Sequence, residues 1–256
     1  MAKFRVAAVT NINTIPFLYG LQHQVVKDSI ELIEASPSNC AKMLNTGEVD
    51  LALIPIVLMP DIIDGEVTSQ YCVAAQHEIR SFVLNMNGAL NQLSTLYIDT
   101  NSLTATTTAR LLCRYAWRIN PIIKPLTNFE LALHLGAGEG AILLGNNVLD
   151  AEKKLGCKID IAREWRKYTG LPLVMAAWVS NRKLPNNFLI LFNNALKYGV
   201  NHLKEAVQNG NDNGILTPHE TRRYLTENIS YIFDNEKMES IKLFLKLQAQ
   251  KELVPG

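Results

Sequence analysis

The stretch that decides the fold is residues 36–56, S-P-S-N-C-A-K-M-L-N-T-G-E-V-D-L-A-L-I-P-I. Ser36 followed by Pro37 predicts the start of a helix, because a serine side chain caps the first turn and proline is tolerated within it. The predicted helix ends near Gly47, a residue type that commonly ends helices. Residues 49–54 are almost continuously apolar, which is typical of a strand covered on both faces. A helix that leads into such a strand predicts an α/β fold.

Strands and helices alternate on both sides of this stretch. Strands are predicted at residues 4–9, 30–33, 49–54, 70–75, 79–85, 95–99, 141–144 and 173–179, and helices at 16–22, 36–47, 102–117, 187–208, 218–229 and 236–251. This alternation predicts largely parallel sheets. The elements form two groups connected by the apolar strands at 79–85 and 173–179, which predicts two lobes with a hinged ligand cleft between them. The predicted division assigns residues 1–86 to lobe 1, 87–174 to lobe 2, and 175–256 to the return to lobe 1 with the C-terminal helices.

Charge and hydropathy exclude several classes of partner. The 256 residues include 25 Lys and Arg against 24 Asp and Glu, a net charge of +1, so there is no basic excess for nucleic acid or an anionic membrane. The longest apolar runs are shorter than the ~20 residues of a membrane span, and the N-terminal apolar stretch is shorter than that of a secretory signal. The sequence predicts a cytoplasmic protein with a small-molecule partner, and it does not distinguish a monomer from an oligomer.

The cysteines and histidines carry no metal motif. Cys40, Cys72, Cys113 and Cys157 form no C-x-x-C pair, and the five histidines show no H-E-x-x-H spacing. This argues against a zinc site and a disulfide framework, and the cysteines are predicted to be small buried hydrophobic residues. No Ser/His/Asp grouping, Gly-rich phosphate loop or paired-carboxylate motif stands at the strand ends. If the chain is an enzyme, its reaction is expected to need little more than orientation, hydrogen bonds and a base that the ligand supplies.

Polar side chains concentrate where the predicted strands end. They are Thr10, Asn11 and Asn13 after the first strand, Ser81 on a crossing strand, Ser102, Thr104 and Thr106 at a helix start, Asn146 after residues 141–144, and Thr169 and Gly170 in a T-G-L-P turn. A hydroxyl-rich helix start offers backbone N–H groups and the positive end of the helix dipole to a carboxylate or phosphate. The alternative is that Ser102 only caps its helix and that Asn146 and Gly170 only form turns. Composition alone favours this local explanation, although threonines are poor helix formers.

Four blocks of sequence carry a resemblance to a known family. I-N-T-I-P-F-L-Y-G-L at 12–21 resembles L-N-T-x-P-F-x-Y-G-L, and residues 37–56 resemble P-S-x-x-A-x-x-L-x-x-G-E-V-D-L-G-L-I-P. E-I-R-S-F-V-L at 78–84 resembles V-x-S-V-x-L, and E-W-R-K-Y-T-G-L-P-L-V-M-A-A-W-V at 164–179 resembles x-W-x-x-x-T-G-L-P-F-V-F-A-x-W. These patterns are those of the chorismate dehydratases of the futalosine route to menaquinone, the MqnA family.

The resemblance implies a fold, an activity and a set of site residues. The fold is that of type II periplasmic binding proteins, and the activity is that of a cofactor-independent hydro-lyase, a carbon-oxygen lyase, that converts chorismate to 3-[(1-carboxyvinyl)oxy]benzoate. Asn13 and Ser81 are the implied catalytic residues, the first orienting the substrate and the second donating to a carboxylate or to the departing hydroxyl. The candidate substrate-binding residues are Thr10, Asn11, Ser102, Thr104, Thr106, Asn146, Thr169 and Gly170. The competing hypothesis is a non-catalytic cytosolic protein of the same fold that binds a small carboxylate.

The chain departs from the family pattern at three of these places, the first being Asn11, where the family has the tyrosine of S-Y-L-N-T. S-L-T-A at 102–105 stands where the family has S-R-T-S, and L-G-N at 144–146 stands where it has I-G-D. An arginine and an aspartate are therefore both lost, which favours an ion pair between them in relatives. On this hypothesis Leu103→Arg alone is expected to place an unpaired charge in a partly buried position.

Overall fold

The computed structural model describes residues 3–99, 102–210 and 216–252, and it contains eleven described strands and nine described α-helices. The strands are β1 (Phe4–Val9), β2 (Ile30–Ala35), β3 (Leu51–Pro55), β4 (Glu66–Ala75), β5 (Phe82–Met86), β6 (Thr95–Ile98), β7 (Ile122–Pro125), β8 (Glu139–Leu144), β9 (Cys157–Asp160), β10 (Val174–Ser180) and β11 (Ile229–Ile232). The helices are α1 (Ile15–His23), α2 (Pro37–Asn45), α3 (Leu103–Leu111), α4 (Asn146–Asp150), α5 (Ile161–Thr169), α6 (Asn186–Asn201), α7 (Leu203–Asn209), α8 (Pro218–Glu227) and α9 (Asn235–Glu252). The predicted α/β class is confirmed.

The chain divides into two units. Unit 1 lies within residues 1–74 and 174–241, and unit 2 lies within residues 75–173 and 242–256. The first division therefore comes before β5 rather than after residue 86, because β5 pairs with β8 and β9 of unit 2. The last part of α9 also falls in unit 2, whereas the sequence assigned it to the return to lobe 1.

Each unit is built on one sheet. The sheet of unit 1 has the strand order β11-β4-β10-β3-β1-β2, and the sheet of unit 2 has the order β7-β6-β8-β5-β9. In unit 1, β1 is parallel to β2 and β3, but β10 is antiparallel to β3 and β4. In unit 2, β6 is parallel to β7 and β8, but β5 is antiparallel to β8 and β9. The prediction of largely parallel sheets is wrong, because β5 and β10, where the chain enters a unit, run antiparallel to the strands beside them.

Several short elements were not predicted. Strands β7, β9 and β11 have four residues each, too few for an alternating pattern to be recognised. Helix α5 was also not predicted, although its start is capped. The predicted helix at 102–117 continues past α3 as a π-helix, Leu112–Trp117. The predicted helix at 187–208 is two helices, α6 and α7, separated at His202.

Helices α1 and α6 cross at two glycines. A Cβ atom on Gly199 would lie 1.7 Å from the carbonyl oxygen of Pro16, and one on Gly20 would lie 2.0 Å from the carbonyl oxygen of Ala195. Both obstructing atoms belong to backbone, which cannot swing aside as a flexible side chain does. The crossing therefore requires glycine on both helices.

The buried carboxylate of Asp50 joins three strand regions of unit 1. Its Oδ2 accepts from the backbone N–H of Arg5 at 2.8 Å, and its Oδ1 accepts from the guanidinium groups of Arg5 at 3.0 Å and Arg182 at 2.7 Å. The hydroxyl of Ser180 donates to the Asp50 carbonyl at 2.9 Å. Burial alone would raise the pKa of Asp50, but the hydrogen bonds from Arg5 and the charge of Arg182 outweigh it and lower the pKa.

Asp50→Asn is expected to lower the free energy of unfolding at pH 7 by about 2 kcal/mol, because hydrogen bonds to a charged acceptor are lost. A carboxyl with a lowered pKa stabilises the fold above its unfolded value of about 3.9 and loses that contribution as the pH falls through the folded pKa. The free energies of unfolding of wild type and Asp50→Asn, measured with urea, should therefore become equal as the pH falls into the acid range. Glu48→Gln, which removes an exposed carboxylate, is the control. A difference in the free energy of unfolding between wild type and Asp50→Asn that does not change with pH would contradict a stabilising role for the Asp50 charge.

Three of the four cysteines are buried as predicted. Burial raises the pKa of Cys40 to about 11 and of Cys72 and Cys113 to about 12, so these thiols are unreactive near neutral pH. Cys157 is exposed at the start of β9, so the prediction of burial is wrong there. None of the helices in the described ranges is long and apolar enough to cross a bilayer.

Candidate functional site

In unit 1 the candidate residues lie in the loop between β1 and α1. A short 3-10 helix, Ile12–Thr14, begins at Asn11, whose Oδ1 accepts from the backbone N–H of Asn13 at 2.9 Å. The hydroxyl of Thr14 accepts in return from the backbone N–H of Asn11 at 3.1 Å, which completes a capping box. The Asn11 carboxamide oxygen is thus used to hold the loop in shape.

This loop presents the side chain of Asn13. Its backbone is fixed at both ends, since its N–H is bonded to Asn11 and its carbonyl accepts from the hydroxyl of Tyr231 at 3.0 Å. The Oδ1 atom of Asn13 is buried and has no hydrogen-bond partner among the described residues. A buried acceptor without a hydrogen-bond partner costs about 1–3 kcal/mol. Buried polar groups are normally hydrogen-bonded, so the unpaired Oδ1 atom of Asn13 needs an explanation.

Thr10 lies in a different electrostatic setting from Asn13. It is exposed and donates to the carboxylate of Glu34 at 2.8 Å. Thr10 and Glu34 line a cavity of about 220 Å³ together with Asn11, Tyr19 and His23, and Asn13 is not part of that lining. The carboxylate of Glu34 disfavours a second carboxylate at Thr10, so this hydroxyl is poorly placed to receive an anion.

In unit 2 the sheet brings three candidate residues to one edge. Strands β6 and β8 are parallel neighbours, so Ser102 and Asn146, which follow them, lie at the same edge. Strand β5 runs antiparallel to β8 with Phe82 opposite Leu144, which places Ser81 there too. The backbone N–H of Gly145 donates to the Ser81 carbonyl at 2.9 Å and joins the two turns. We call this region, defined by Ser81, Ser102 and Asn146, the unit 2 edge.

The start of α3 contributes hydrogen-bond donors to the unit 2 edge. Ser102 is its N-cap, and its hydroxyl accepts from the backbone N–H of Ala105 at 3.3 Å, as the local explanation predicts. The hydroxyl of Thr106 reaches the carbonyl of Asp99 at 3.5 Å. The backbone N–H groups of Leu103 and half-buried Thr104 belong to the first turn, which has no acceptors within the helix.

Ser81 is held in an unusual turn. Its backbone N–H donates to the carbonyl of Ile79 at 2.5 Å, and between them Arg80 has a left-handed backbone with φ 54°. Ser81 is 2% exposed, so the residue is buried at the unit 2 edge.

Asp160, the N-cap of α5, was not among the residues predicted from the sequence. Its Oδ2 accepts from the backbone N–H groups of Ile79 at 3.0 Å and Arg80 at 2.8 Å, and its Oδ1 accepts from Arg163 N–H at 3.0 Å. Burial raises the pKa of Asp160, although these three hydrogen bonds act in the opposite direction. An aspartate before the amphipathic stretch 161–169 was the available signal.

The cations near the Ile79–Ser81 turn are paired. Arg80 bonds Glu152 at 2.5 Å, Lys158 lies 3.6 Å from the same carboxylate, and Arg163 pairs with Glu78. A carboxylate at the unit 2 edge would therefore be received by N–H and hydroxyl groups rather than by these side chains.

Thr169 and Gly170 lie at the other end of α5, about 13 Å along the helix axis from its cap. The Thr169 hydroxyl donates to the Trp165 carbonyl at 2.8 Å and accepts from the Leu171 N–H at 3.1 Å. Gly170 ends the helix with φ 76°, a conformation that favours glycine. The groups of both residues serve the turn that they form.

Leu103 is 50% exposed, so the expected partly buried position is not what the structure shows. Leu103→Arg should consequently cost less than about 1 kcal/mol, mainly through an unfavourable charge at a helix N-terminus. Adding Asn146→Asp tests pairing, because the two residues follow adjacent parallel strands. A double-mutant cycle by urea unfolding should give a coupling energy of about 0.5 kcal/mol, and strictly additive effects would show that the two side chains do not meet.

The described residues also bear on metal binding. Within residues 3–99, 102–210 and 216–252, no three His, Cys, Asp or Glu side chains are grouped closely enough to hold a metal ion.

Known proteins resemble this chain in fold and in sequence. The Archaeoglobus fulgidus protein AF1704 superposes with a TM-score of 0.72 at 15% identity over 98% of both chains. The Candida albicans CA3427 gene product, described as having the generic periplasmic binding protein fold, gives 0.66 at 16% identity over 98% of this chain and 91% of that one. The predicted periplasmic-binding-protein-like fold is confirmed.

The sequence comparisons agree with the resemblance that the four blocks carry. A chorismate dehydratase of Thermus thermophilus is 23% identical over 217 residues, which cover 73% of this chain and 76% of that protein. The sequence profile of a family described as menaquinone biosynthesis matches residues 4–250. Because that match spans nearly the whole chain, the protein belongs to the menaquinone biosynthesis family.

Proposed function

We propose that this protein is a chorismate dehydratase that eliminates water from chorismate to give 3-[(1-carboxyvinyl)oxy]benzoate. The observation that carries the proposal is the placement of Asn13, whose backbone is bonded at both ends while its buried Oδ1 has no partner among the described residues. The family match over residues 4–250 and the similarity to a chorismate dehydratase support it.

The reaction breaks two bonds of the substrate ring. The C3–H bond releases a proton, its electron pair becomes a ring double bond, and the C4–O bond breaks so that hydroxide and the proton leave as water. The ring becomes aromatic, which supplies the driving force within the substrate. Orientation of the reacting groups is then the main task of the protein, and orientation alone can lower a barrier by several kcal/mol.

The base in this proposal is the substrate itself. A carboxamide and an unactivated hydroxyl do not accept a proton readily near pH 7, which excludes Asn13 and Ser81 as bases. The enolpyruvyl carboxylate of chorismate is tethered to C3 of the ring and is the nearest group able to take the proton. No metal or organic cofactor is needed for this step.

The chain's own residues orient the substrate. Asn13 bonds the substrate through its carboxamide, and Ser81 donates to a carboxylate or to the departing hydroxyl. The N–H groups at the start of α3, with Thr104, Thr106 and Asn146, receive a carboxylate, where the helix dipole favours negative charge. Thr10, Asn11, Ser102, Thr169 and Gly170 shape the surrounding loops through the local bonds described above. An enzyme that draws on chorismate for biosynthesis is expected in the cytoplasm.

The alternative is a protein of the same fold that binds a small carboxylate without chemistry. Calorimetric titration with chorismate, followed by mass spectrometry of the same sample, separates the two. A dehydratase yields an aromatic product lighter than chorismate by one water, including after dialysis against a chelator. Saturable binding with chorismate recovered unchanged would favour the binding protein, and absence of binding would contradict both.

A further inference from the structure

The turn that carries Ser81 is held from outside its own segment. The backbone of Arg80 is left-handed, a conformation that a residue with a Cβ adopts unfavourably, so the turn needs compensating contacts. Its backbone N–H groups at Ile79 and Arg80 both point to one acceptor, Oδ2 of Asp160, at 3.0 and 2.8 Å.

Asp160 is itself fixed in place. It is the last residue of β9 and pairs in register with Val83 of β5, two residues beyond Ser81. Its second carboxylate oxygen caps α5 through the N–H of Arg163 at 3.0 Å. One carboxylate therefore links the end of a strand, the start of a helix and the turn before β5.

We propose that Asp160 is a positioning residue for Ser81, holding the Ile79–Arg80–Ser81 turn in the left-handed conformation that places the Ser81 hydroxyl at the unit 2 edge. This inference rests on the proposed role of Ser81 in the reaction. Asp160 makes no contact with the substrate in this scheme, because its carboxylate oxygens are taken up by three backbone N–H groups. The Gly145 N–H holds the turn from the other side through the Ser81 carbonyl.

The two functions of Asp160 can be separated by substitution. In Asp160→Ser the short hydroxyl still caps α5, since serine is as good an N-cap as aspartate, but it does not reach the N–H groups of Ile79 and Arg80. Asp160→Asn keeps the reach of aspartate with one acceptor oxygen instead of two. Thr217→Ala, which breaks the capping box of α8 in unit 1, is the control for the loss of a helix cap outside unit 2.

The test combines turnover with hydrogen exchange at the turn. For Asp160→Ser we expect kcat for chorismate to fall about tenfold to a hundredfold with KM changed far less, since misplacement of a reacting contact acts on the transition state. Asp160→Asn should recover part of that loss, and Thr217→Ala should leave kcat unchanged. Amide exchange at Ile79 and Arg80 should quicken in Asp160→Ser and stay slow in Thr217→Ala.

Measuring turnover of Ser81→Ala alongside the Asp160 variants distinguishes a failure of this inference from a failure of the proposed function. Unchanged exchange at the turn in both Asp160 variants would overturn the proposal, because the turn would then hold its shape without the carboxylate. Faster exchange with unchanged kcat, while Ser81→Ala loses turnover, would also overturn it and leave the proposed function standing. Full turnover in Ser81→Ala would remove Ser81 from the proposed reaction and this inference with it.

Discussion

Gly199→Ala is expected to lower the melting temperature by about 6–12 °C, which corresponds to about 3 kcal/mol for a chain of this size. The added Cβ would sit 1.7 Å from the carbonyl oxygen of Pro16, so α1 and α6 would have to separate. Alanine is the better helix former by about 1 kcal/mol, but this gain is smaller than the cost of prising apart two packed helices.

Differential scanning calorimetry of Gly199→Ala measures this effect, and Asn194→Ala is the matched control. Asn194 is exposed on the same helix, so the same alanine there should leave the melting temperature unchanged or slightly raised. An equal response from both variants would show that helix propensity, rather than the glycine crossing, decides the outcome.

Asn13→Asp is expected to reduce kcat/KM for chorismate by about a hundredfold, equivalent to about 3 kcal/mol. A carboxylate at this position would face a substrate with two carboxylates of its own, and like charges near a protein surface repel by several kcal/mol at contact distance. The variant would also place charge where Oδ1 is buried without a partner, so part of the cost falls on the free protein.

Steady-state kinetics and thermal melting of Asn13→Asp should be read together with Asn39→Asp. Asn39 lies exposed in the first turn of α2, where a negative charge is tolerated or mildly favourable. It adds the same charge outside the proposed site and should leave turnover unaltered. Wild-type kinetics in Asn13→Asp with an unaltered melting temperature would remove Asn13 from the reaction.

Local signals account for the parts of the fold that were predicted correctly. Ser36 caps α2 through the N–H of Asn39, Pro37 occupies its first position, and the five residues of β3 are all buried. Each of these features depends on neighbours within a few residues. The direction of β10 depends instead on where the chain re-enters the unit 1 sheet after about a hundred residues, and that of β5 on where the chain first enters unit 2, and no local pattern encodes either.

The sequence predicted those residues of the candidate site that lie at the ends of strands. Ser102 and Asn146 were predicted to follow the ends of two strands, and those strands, β6 and β8, are parallel neighbours, which brings both residues to one edge. Asp160 was missed because the N–H groups that it accepts from lie about 80 residues earlier in the chain. The half-exposed position of Leu103 was also not predicted, because an apolar side chain is expected to be buried when only the sequence is known.

Chorismate carrying deuterium at C3 of the ring gives the most direct test of the proposed elimination. The proposed reaction breaks this C–D bond. Mass spectrometry should therefore show an aromatic product that has lost both the deuterium and the oxygen of the C4 hydroxyl. This product should form more slowly than the product from unlabelled substrate. A product that retains the deuterium, or labelled chorismate recovered intact after it has demonstrably bound, would contradict the assignment of this chain as a chorismate dehydratase.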